Sequence, residues 1–107
     1  MTITRFLGDG EHAFALPFDS CIELEKATGT TFGNLFERVR AMRFAMTDRT
    51  EIVRLALIGG GMSPTDAFEL THTYVAKRPV AETYSLVFEI LSVAMFGEDA
   101  ATDEAAA

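Results

Sequence analysis

Cysteine, basic residues and long apolar runs are scarce in this sequence. Its 107 residues include a single cysteine, Cys21, which cannot form an internal disulfide, so a reducing cytoplasm is the expected compartment. No apolar run approaches the roughly 18 residues that a membrane-spanning helix needs. No charged segment precedes a hydrophobic stretch near residue 1, and we therefore expect no signal peptide.

Acidic residues outnumber basic ones, and the net charge is −7. This balance argues against broad binding to nucleic acids or membrane surfaces, which are themselves negatively charged. Five arginines nevertheless fall in one short stretch: Arg38, Arg40, Arg43, Arg49 and Arg54. The simplest interpretation is a solvated face that forms local ion pairs with Glu37, Asp48 and Glu51. A basic patch on an acidic protein is the alternative.

Apolar residues are abundant by comparison, at 49% of the chain, with nine phenylalanines and five methionines. A chain of this length buries roughly 65% of its unfolded surface, which is enough for one core without disulfide or metal support. The sequence contains no internal repeat and no linker, so residues 1–97 are predicted to form one domain. Residues 98–107 are rich in alanine and acids and are predicted to be disordered.

The N-terminal residues have the pattern of a β-hairpin. Two short runs, residues 3–7 and 11–16, alternate in polarity and flank a Gly-Asp-Gly turn. His12 and Phe14 would share one face of the second strand, which Pro17 would end.

Five helices are predicted to follow the hairpin. The first begins near Asp19 or Ser20, either of which can cap it, and it ends at Gly29. Thr30 or Thr31 caps the second helix. The apolar positions of the second helix have the spacing of one buried face. They are Phe32, Leu35, Phe36, Val39 and Met42.

The third and fourth helices are separated by a strong boundary. The third begins near Thr47 and stops at the glycine run 59–61. Ser63 caps the fourth helix and a proline occupies its first position, which is the favoured arrangement at a helix start. The fourth helix is predicted to bury Phe68, and Pro79 ends it.

The fifth helix is predicted over residues 80–96 and is apolar on most of its surface. Its only polar stripe consists of Glu82, Ser85, Glu89 and Ser92. A helix so widely apolar is either central in the domain or partly used as an interface. The predicted fold class is therefore mainly α, with about five helices and an N-terminal β-hairpin.

No constellation of residues indicates catalysis, a cofactor or a metal site. The glycine run 59–61 follows a predicted helix and lacks the Lys-Ser/Thr ending of a phosphate-binding loop, so a flexible link between helices is the better interpretation. His12 and His72 have no cysteine or histidine at metal-ligand spacing. Cys21 lies on an apolar stripe and is interpreted as a small core residue. We therefore predict a protein without enzymatic activity.

Residues 51–77 have the outline of a helix–turn–helix motif. The second helix of such a motif places its first residues against DNA bases. Here those residues include Asp66 and Glu69, whose carboxylates would repel phosphate. A nucleic-acid-binding regulator would have to use the basic patch between Arg38 and Arg54 instead, and this hypothesis is kept as an alternative.

The order of these elements is similar to that of a known family. A hairpin precedes a helix with the sequence IELE at 22–25, then a second helix with NLF at 34–36, and then IVRLALIGGG at 52–61. Over about residues 3–96 this arrangement resembles the tail assembly chaperones of siphophage-like tails and gene transfer agents. Some members of that family are also called tail tube or gene transfer agent proteins. The Met- and Phe-rich stretch at 42–46 departs from the small residues expected there.

The resemblance implies a protein-binding, non-enzymatic function. Such chaperones bind the tape measure protein during tail assembly, with the tail tube protein as a further candidate partner, and they are expected to be absent from the mature particle. Phe44 and Met46 lie between predicted helices and are the best candidates for exposure, whereas Phe32 and Phe36 also suit the core. The candidate partner-binding residues are Phe32, Phe36, Met42, Phe44, Met46 and Met62. A structural component of the particle is a further alternative, and monomer and homo-oligomer are both left open.

Overall fold

The computed structural model describes residues 1–97, so the prediction of a disordered tail at 98–107 lies outside the described residues. Within residues 1–97, five α-helices follow a two-stranded antiparallel hairpin, which confirms the predicted fold class. The elements are β1 (Thr2–Leu7), β2 (Gly10–Ala15), α1 (Phe18–Thr28), α2 (Phe32–Arg40), α3 (Met46–Gly59), α4 (Pro64–Thr71), a π-helical turn (His72–Ala76) and α5 (Val80–Phe96). Within residues 1–97, no helix combines the length and apolar character needed to cross a bilayer.

The hairpin closes through a two-residue turn, with Leu7 opposite Gly10. Gly8 has a φ of 65°, a conformation that glycine adopts without steric cost. Ile3 and Phe14 are register partners, and both are buried in the core. The hairpin therefore contributes one apolar face to the helical domain.

Helix α1 begins before the predicted caps. Its first residue is Phe18, the residue before it is Pro17, and no side chain caps the helix. The predicted capping by Asp19 or Ser20 is therefore wrong. Pro17 already has the extended backbone of a capping position, and its carbonyl accepts the first helical hydrogen bond from Cys21 at 3.0 Å.

Helix α2 begins as predicted, because the Thr31 hydroxyl accepts a hydrogen bond from the Asn34 N–H at 3.1 Å. Leu35, Phe36 and Val39 are buried. Met42 lies beyond the end of the helix and is 66% exposed, so its predicted place on the buried face of α2 is wrong.

Helix α3 occupies the centre of the domain and packs against β2, α1, α4 and α5. Ile52, Val53, Ala56 and Leu57 are fully buried. Arg49 is also buried, at 2% exposure, so its predicted place on a solvated face is wrong.

Helix α4 has the predicted start but a different buried side. The Ser63 hydroxyl accepts a hydrogen bond from the Asp66 N–H at 3.2 Å, and Pro64 is the first helical residue. Ala67 and Thr71 are the buried positions, whereas Phe68 is 59% exposed. The predicted burial of Phe68 is therefore wrong, because the core-facing stripe passes through the residue before it.

The π-helical turn that follows is stabilised from α3. The Arg49 guanidinium donates hydrogen bonds to the carbonyls of Val75 and Ala76, at 2.5 and 3.5 Å. These carbonyls lie at the end of a helical segment, where few partners remain within the helix, and the Val75 carbonyl also accepts a hydrogen bond from the Arg78 N–H at 3.2 Å. A cation is favourable there. Arg49 can therefore be buried because its guanidinium donates to backbone carbonyls from a segment that is distant in the sequence.

Helix α5 spans the predicted residues, Val80–Phe96, and follows Pro79 as predicted. The predicted polar stripe is correct for the exposed Glu82 and Ser85 but wrong for Ser92, which is 1% exposed. Residues 90–93 are all buried, so this turn of α5 is covered on every side by the rest of the domain and Ser92 is enclosed with its apolar neighbours.

Candidate protein-binding face

The end of α2 places an exposed methionine in an unusual backbone conformation. The N–H of Arg43 donates to the Arg38 carbonyl at 2.7 Å, and the N–H of Met42 donates to the Val39 carbonyl at 3.1 Å. This is the hydrogen-bond pattern of a Schellman motif, in which glycine usually occupies the left-handed position. Here Met42 occupies it, with a φ of 59°. The left-handed conformation costs a side-chain-bearing residue about 1 kcal/mol.

The residues that follow Met42 pack against the middle of α5. The ring of Phe44 stacks on Tyr84 with centroids 5.9 Å apart, and Tyr84 is in turn stacked on Phe88 at 6.3 Å. The Tyr84 hydroxyl donates a hydrogen bond to the Val39 carbonyl at 2.6 Å. Tyr84 therefore connects α5 both to the end of α2 and to the loop before α3.

The row of aromatic rings continues across α2 and along α5. Phe36 lies 5.7 Å from Phe88 and 5.6 Å from Phe96. Phe36 is 6% exposed, whereas Phe96 is 55% exposed. The buried part of the row thus supports a partly exposed apolar surface.

We name the exposed part nearest the loop the methionine face. It consists of Met42, Arg43, Phe44, Met46 and Tyr84. Met42 and Met46 are 66% and 59% exposed, and Phe44 and Tyr84 are half-buried. Methionine side chains are flexible and polarisable, so a face of this kind can adapt to an apolar partner.

Most of the neighbouring arginines are already paired. Arg38 forms an ion pair with Asp48, Arg40 with Glu37 and Arg54 with Glu51, which confirms the predicted local pairs. The Asp48 carboxylate also accepts a hydrogen bond from the Ala45 N–H at 2.8 Å and so caps α3.

Arg43 differs from the other arginines of the cluster. It is exposed, and within residues 1–97 it forms no ion pair. With Arg49 buried and three arginines paired, no continuous basic patch forms within residues 1–97. The arrangement therefore offers little support for a nucleic-acid interface, but it places one unpaired cation on the methionine face.

The six residues predicted to bind a partner do not form one surface. Phe32 is half-buried against the core, and Phe36 lies beneath the surface. Met62 is half-buried beyond the far end of α3, which is about 20 Å from Met46 at 1.5 Å per residue. Met42, Phe44 and Met46 lie in, or at the end of, the single loop between α2 and α3. Sequence patterns did not indicate the part played by Tyr84, because its contacts are distant along the chain.

A second exposed apolar site lies on α4. Phe68 is 59% exposed and its ring stacks on His72, with centroids 5.8 Å apart and planes 6° from parallel. Phe68 and His72 line a shallow cavity with Arg54 of α3, whereas the exposed Glu69 lines a different cavity with Asp9. The exposed ring and the carboxylate therefore do not share one surface.

The cysteine and histidine side chains that are candidates for catalysis or metal binding lie in environments that do not favour either activity. Within residues 1–97, no group of three or more His, Cys, Asp and Glu side chains could hold a metal ion. Burial, with a smaller contribution from the Glu25 carboxylate, raises the pKa of the Cys21 thiol. A raised pKa makes the nucleophilic thiolate scarcer. His12 contacts Asp9 at 2.7 Å.

The glycine run at the end of α3 is closely packed. A Cβ atom added to Gly59 would lie 2.0 Å from the Ala15 carbonyl oxygen, and one added to Gly60 would lie 2.1 Å from that of Ala13. The predicted flexible link is therefore wrong for these two glycines. They allow α3 to approach β2 more closely than a larger residue would permit.

A comparison with protein families matches residues 1–97 to a known family. The matching family is described as phage tail tube protein, GTA-gp10. No curated protein and no solved structure matches the chain. The match extends over every residue that the structure describes, so it applies to the whole domain.

The family match contradicts the expected localisation and supports the expected connection with tails, but without the chaperone activity. A tail tube protein is a structural part of the particle, so the expectation of a cytoplasmic protein absent from the mature particle is wrong. The expected connection with phage and gene transfer agent tails is confirmed, whereas a chaperone activity is not shown. The family is structural rather than catalytic.

Proposed function

Because the chain belongs to the phage tail tube protein family, GTA-gp10, we propose that it is a structural component of a phage-like or gene transfer agent tail and is held there by its methionine face. The observation that carries this proposal is Met42, which is both left-handed and 66% exposed. A glycine at this position would stabilise the isolated domain. A costly exposed methionine is therefore better explained by contact with another protein.

The methionine face has enough apolar material for a specific contact. Full burial of one large apolar side chain contributes about 1.5–3 kcal/mol. Met42 and Met46 are mostly exposed in the free chain, and the half-buried rings of Phe44 and Tyr84 are stacked on each other. Two exposed methionines on either side of Phe44 in the sequence, together with this stacked aromatic pair, have the character of an interface centre, where a few residues supply most of the affinity.

Incorporation of variants into particles tests the proposal. We expect the double variant Met42→Asp/Met46→Asp to be depleted about tenfold or more in purified particles, because each removed contact is worth about 1.4 kcal/mol or more. Both changes suit folding, since Asp tolerates the left-handed conformation and an acid is favourable in the first turn of α3.

The matched control is Phe18→Asp, which also replaces an exposed apolar residue, here 77% exposed, at the first position of a helix. Quantitative mass spectrometry of particles should recover this control at the wild-type level. Recovery of the double variant at that same level would contradict the role proposed for the methionine face.

Binding of the tape measure protein is a second candidate function of the methionine face. The observation that favours it is the pair of flexible methionines, because such side chains suit a long apolar helical partner of varied sequence. Co-expression with a tape measure fragment tests it. We expect the fragment to become soluble with the wild-type chain but not with Met42→Asp/Met46→Asp. Equal solubility with both would argue against this partner, and co-expression with the tail tube protein gives the parallel test.

A further inference from the structure

Strand β1 forms an exposed edge of the hairpin. In an antiparallel pair, alternate residue pairs turn their backbone N–H and C=O groups outward, away from the partner strand. The Ala13 carbonyl lies against Gly60 of α3, so Ala13 and its register partner Thr4 form such an outward pair. The backbone of Phe6, two residues further along, faces outward as well. The outward groups of β2 are thus covered by α3, whereas Thr4 and Phe6 of β1 are exposed.

The outward groups of β1 have few partners. Within residues 1–97, Thr4 and Phe6 form no backbone hydrogen bond outside the hairpin, and the Thr4 carbonyl accepts one side-chain bond, from the Arg5 guanidinium at 2.8 Å. The strand contains no proline, and its register with β2 contains no bulge. An edge strand with free backbone groups is a template for another strand. The edge of β1 is therefore open to strand addition.

A cavity of about 500 Å³ borders this edge near the turn. Phe6 and Leu7 both line the cavity, although successive side chains point to opposite sides of a strand, so the cavity extends around the strand edge. Its far wall includes Tyr74 of the π-helical turn and Thr83 of α5. Gly8 brings the hairpin turn against the Tyr74 ring, since an added Cβ would lie 2.3 Å from that ring. The cavity has room for one large side chain of an added strand.

The surroundings of the edge carry surplus negative charge. Two arginines border the edge and the cavity, and each is paired with a glutamate of α5: Arg5 with Glu89 and Arg78 with Glu82. Glu11 is exposed beside Phe6 as its register partner, and Asp9 in the turn contacts His12. Neither Glu11 nor Asp9 pairs with a lysine or arginine in the part of the chain that the structure describes. Charge complementarity therefore favours a basic partner.

A second copy of the chain fits this edge less well. Pairing of two β1 edges would place surplus acids on both sides of the contact, because each copy carries its own Glu11 and Asp9. Like charges across an interface are destabilising. The net charge of −7 adds to this repulsion. The edge therefore suits a different protein with a basic segment.

We propose that an extended basic segment of another protein adds to β1 as a third strand of the hairpin sheet. Its backbone pairs with Thr4 and Phe6, its basic side chains lie on the side of Glu11, and a large apolar side chain on its opposite face enters the cavity. Recognition of this kind combines main-chain hydrogen bonds with pockets for alternate side chains. The proposal goes beyond the proposed function, because this surface shares no residue with the methionine face.

Titration of the purified full chain with a synthetic peptide tests the proposal. The probe is acetyl-Lys-Val-Lys-Phe-Lys-Val-Lys-amide, which places lysines on one face of a strand and apolar residues on the other. We expect a Kd of about 100 μM or lower at low salt, measured by NMR titration. At about 1 mM peptide, hydrogen exchange of the Thr4 and Phe6 amides should slow about tenfold, because strand addition engages these N–H groups.

Two altered peptides separate the contribution of the backbone from that of the cavity. Methylation of the peptide's backbone nitrogens keeps every charge but removes the strand hydrogen bonds, so it should weaken binding about tenfold or more. Replacement of the central phenylalanine by alanine leaves the cavity empty and should weaken binding by a similar factor. Unchanged binding after either replacement would overturn the proposal, because charge attraction alone would then explain the affinity.

Charge reversal in the protein tests the location of the site. Glu11→Lys should weaken binding of the basic peptide about tenfold or more, since it reverses the charge beside Phe6. The matched control is Asp19→Lys, which makes the same change in net charge at an exposed acid of α1 that forms no ion pair within residues 1–97. The control should bind like the wild type. Equal affinities of the two variants, or no binding by the wild type at about 1 mM peptide, would overturn the proposal.

Two further outcomes identify the occupant and separate this inference from the proposed function. Protection of the Thr4 and Phe6 amides that rises with the concentration of the chain alone would assign the edge to a second copy and overturn the proposal. Met42→Asp/Met46→Asp should bind the peptide like the wild type. Loss of peptide binding in this variant would overturn the edge as the binding site, whereas its normal incorporation into particles would overturn only the proposed function.

Discussion

The two ends of α3 are built in opposite ways. At its C-terminal end, Gly59 and Gly60 lie against the carbonyls of β2 with no room for a larger side chain. At its N-terminal end, Met42 and Met46 project into solvent around a loop that a glycine would suit better. Residue choice at the C-terminal end favours the stability of the domain. At the N-terminal end the residues favour an exposed surface, which is the surface that we propose for contacts with other proteins.

The largest expected loss of stability comes from a substitution at the closely packed C-terminal end of α3. Gly60→Ala places a Cβ 2.1 Å from the Ala13 carbonyl oxygen, so backbone must move to accommodate it. We expect the free energy of unfolding to fall by about 3 kcal/mol. Urea denaturation measures this. Gly33→Ala is the control, because a Cβ there would meet nothing within 4 Å and alanine favours a helix. Equal stability of the two variants would disprove the close packing.

A smaller loss of stability is expected at the N-terminal end of α3, when the buried carboxylate that caps this helix is removed. Asp48→Ala removes the acceptor for the Ala45 N–H and leaves Arg38 without its partner. We expect a loss of about 2 kcal/mol in thermal or urea unfolding. Asp66→Ala on the exposed first turn of α4 should change stability by less than about 0.5 kcal/mol. A similar loss in both variants would show that Asp48 has no special role.

The smallest expected effect is a gain in stability rather than a loss. Met42→Gly should stabilise the domain by about 1 kcal/mol, because glycine adopts the positive φ of this position without strain. Met46→Gly makes the same exchange at the first residue of α3, where φ is not positive, and should destabilise by up to about 1 kcal/mol. A destabilising Met42→Gly would show that Met42 contributes to the monomer after all.

Local sequence signals predicted much of the fold. The Ser63 cap, the proline at the start of α4 and Pro79 before α5 each act on backbone groups within one helical turn, so their effects can be read from neighbouring residues. The start of α1 was missed because Pro17 replaced the expected side-chain cap. The hairpin and the start of α2 were predicted for the same local reasons.

The candidate site was predicted only in part. Met42, Phe44 and Met46 were among the candidate residues, and Phe44 and Met46 were expected to be exposed because they lie between predicted helices. Tyr84 was not, because it reaches the Val39 carbonyl from 45 positions away in the sequence. Phe68 was expected in the core, but the buried side of α4 passes through Ala67, so Phe68 lies at the surface.

The sequence by itself determined where the helices and strands lie, because caps, prolines and apolar periodicity act between residues a few positions apart. Only the tertiary structure decided which apolar side chains are covered and which charges are compensated. The burial of Arg49 depends on the carbonyls of Val75 and Ala76, and the support of Phe44 depends on Tyr84. The physical reason is that exposure and pairing are properties of the packed arrangement, in which these distant residues become neighbours.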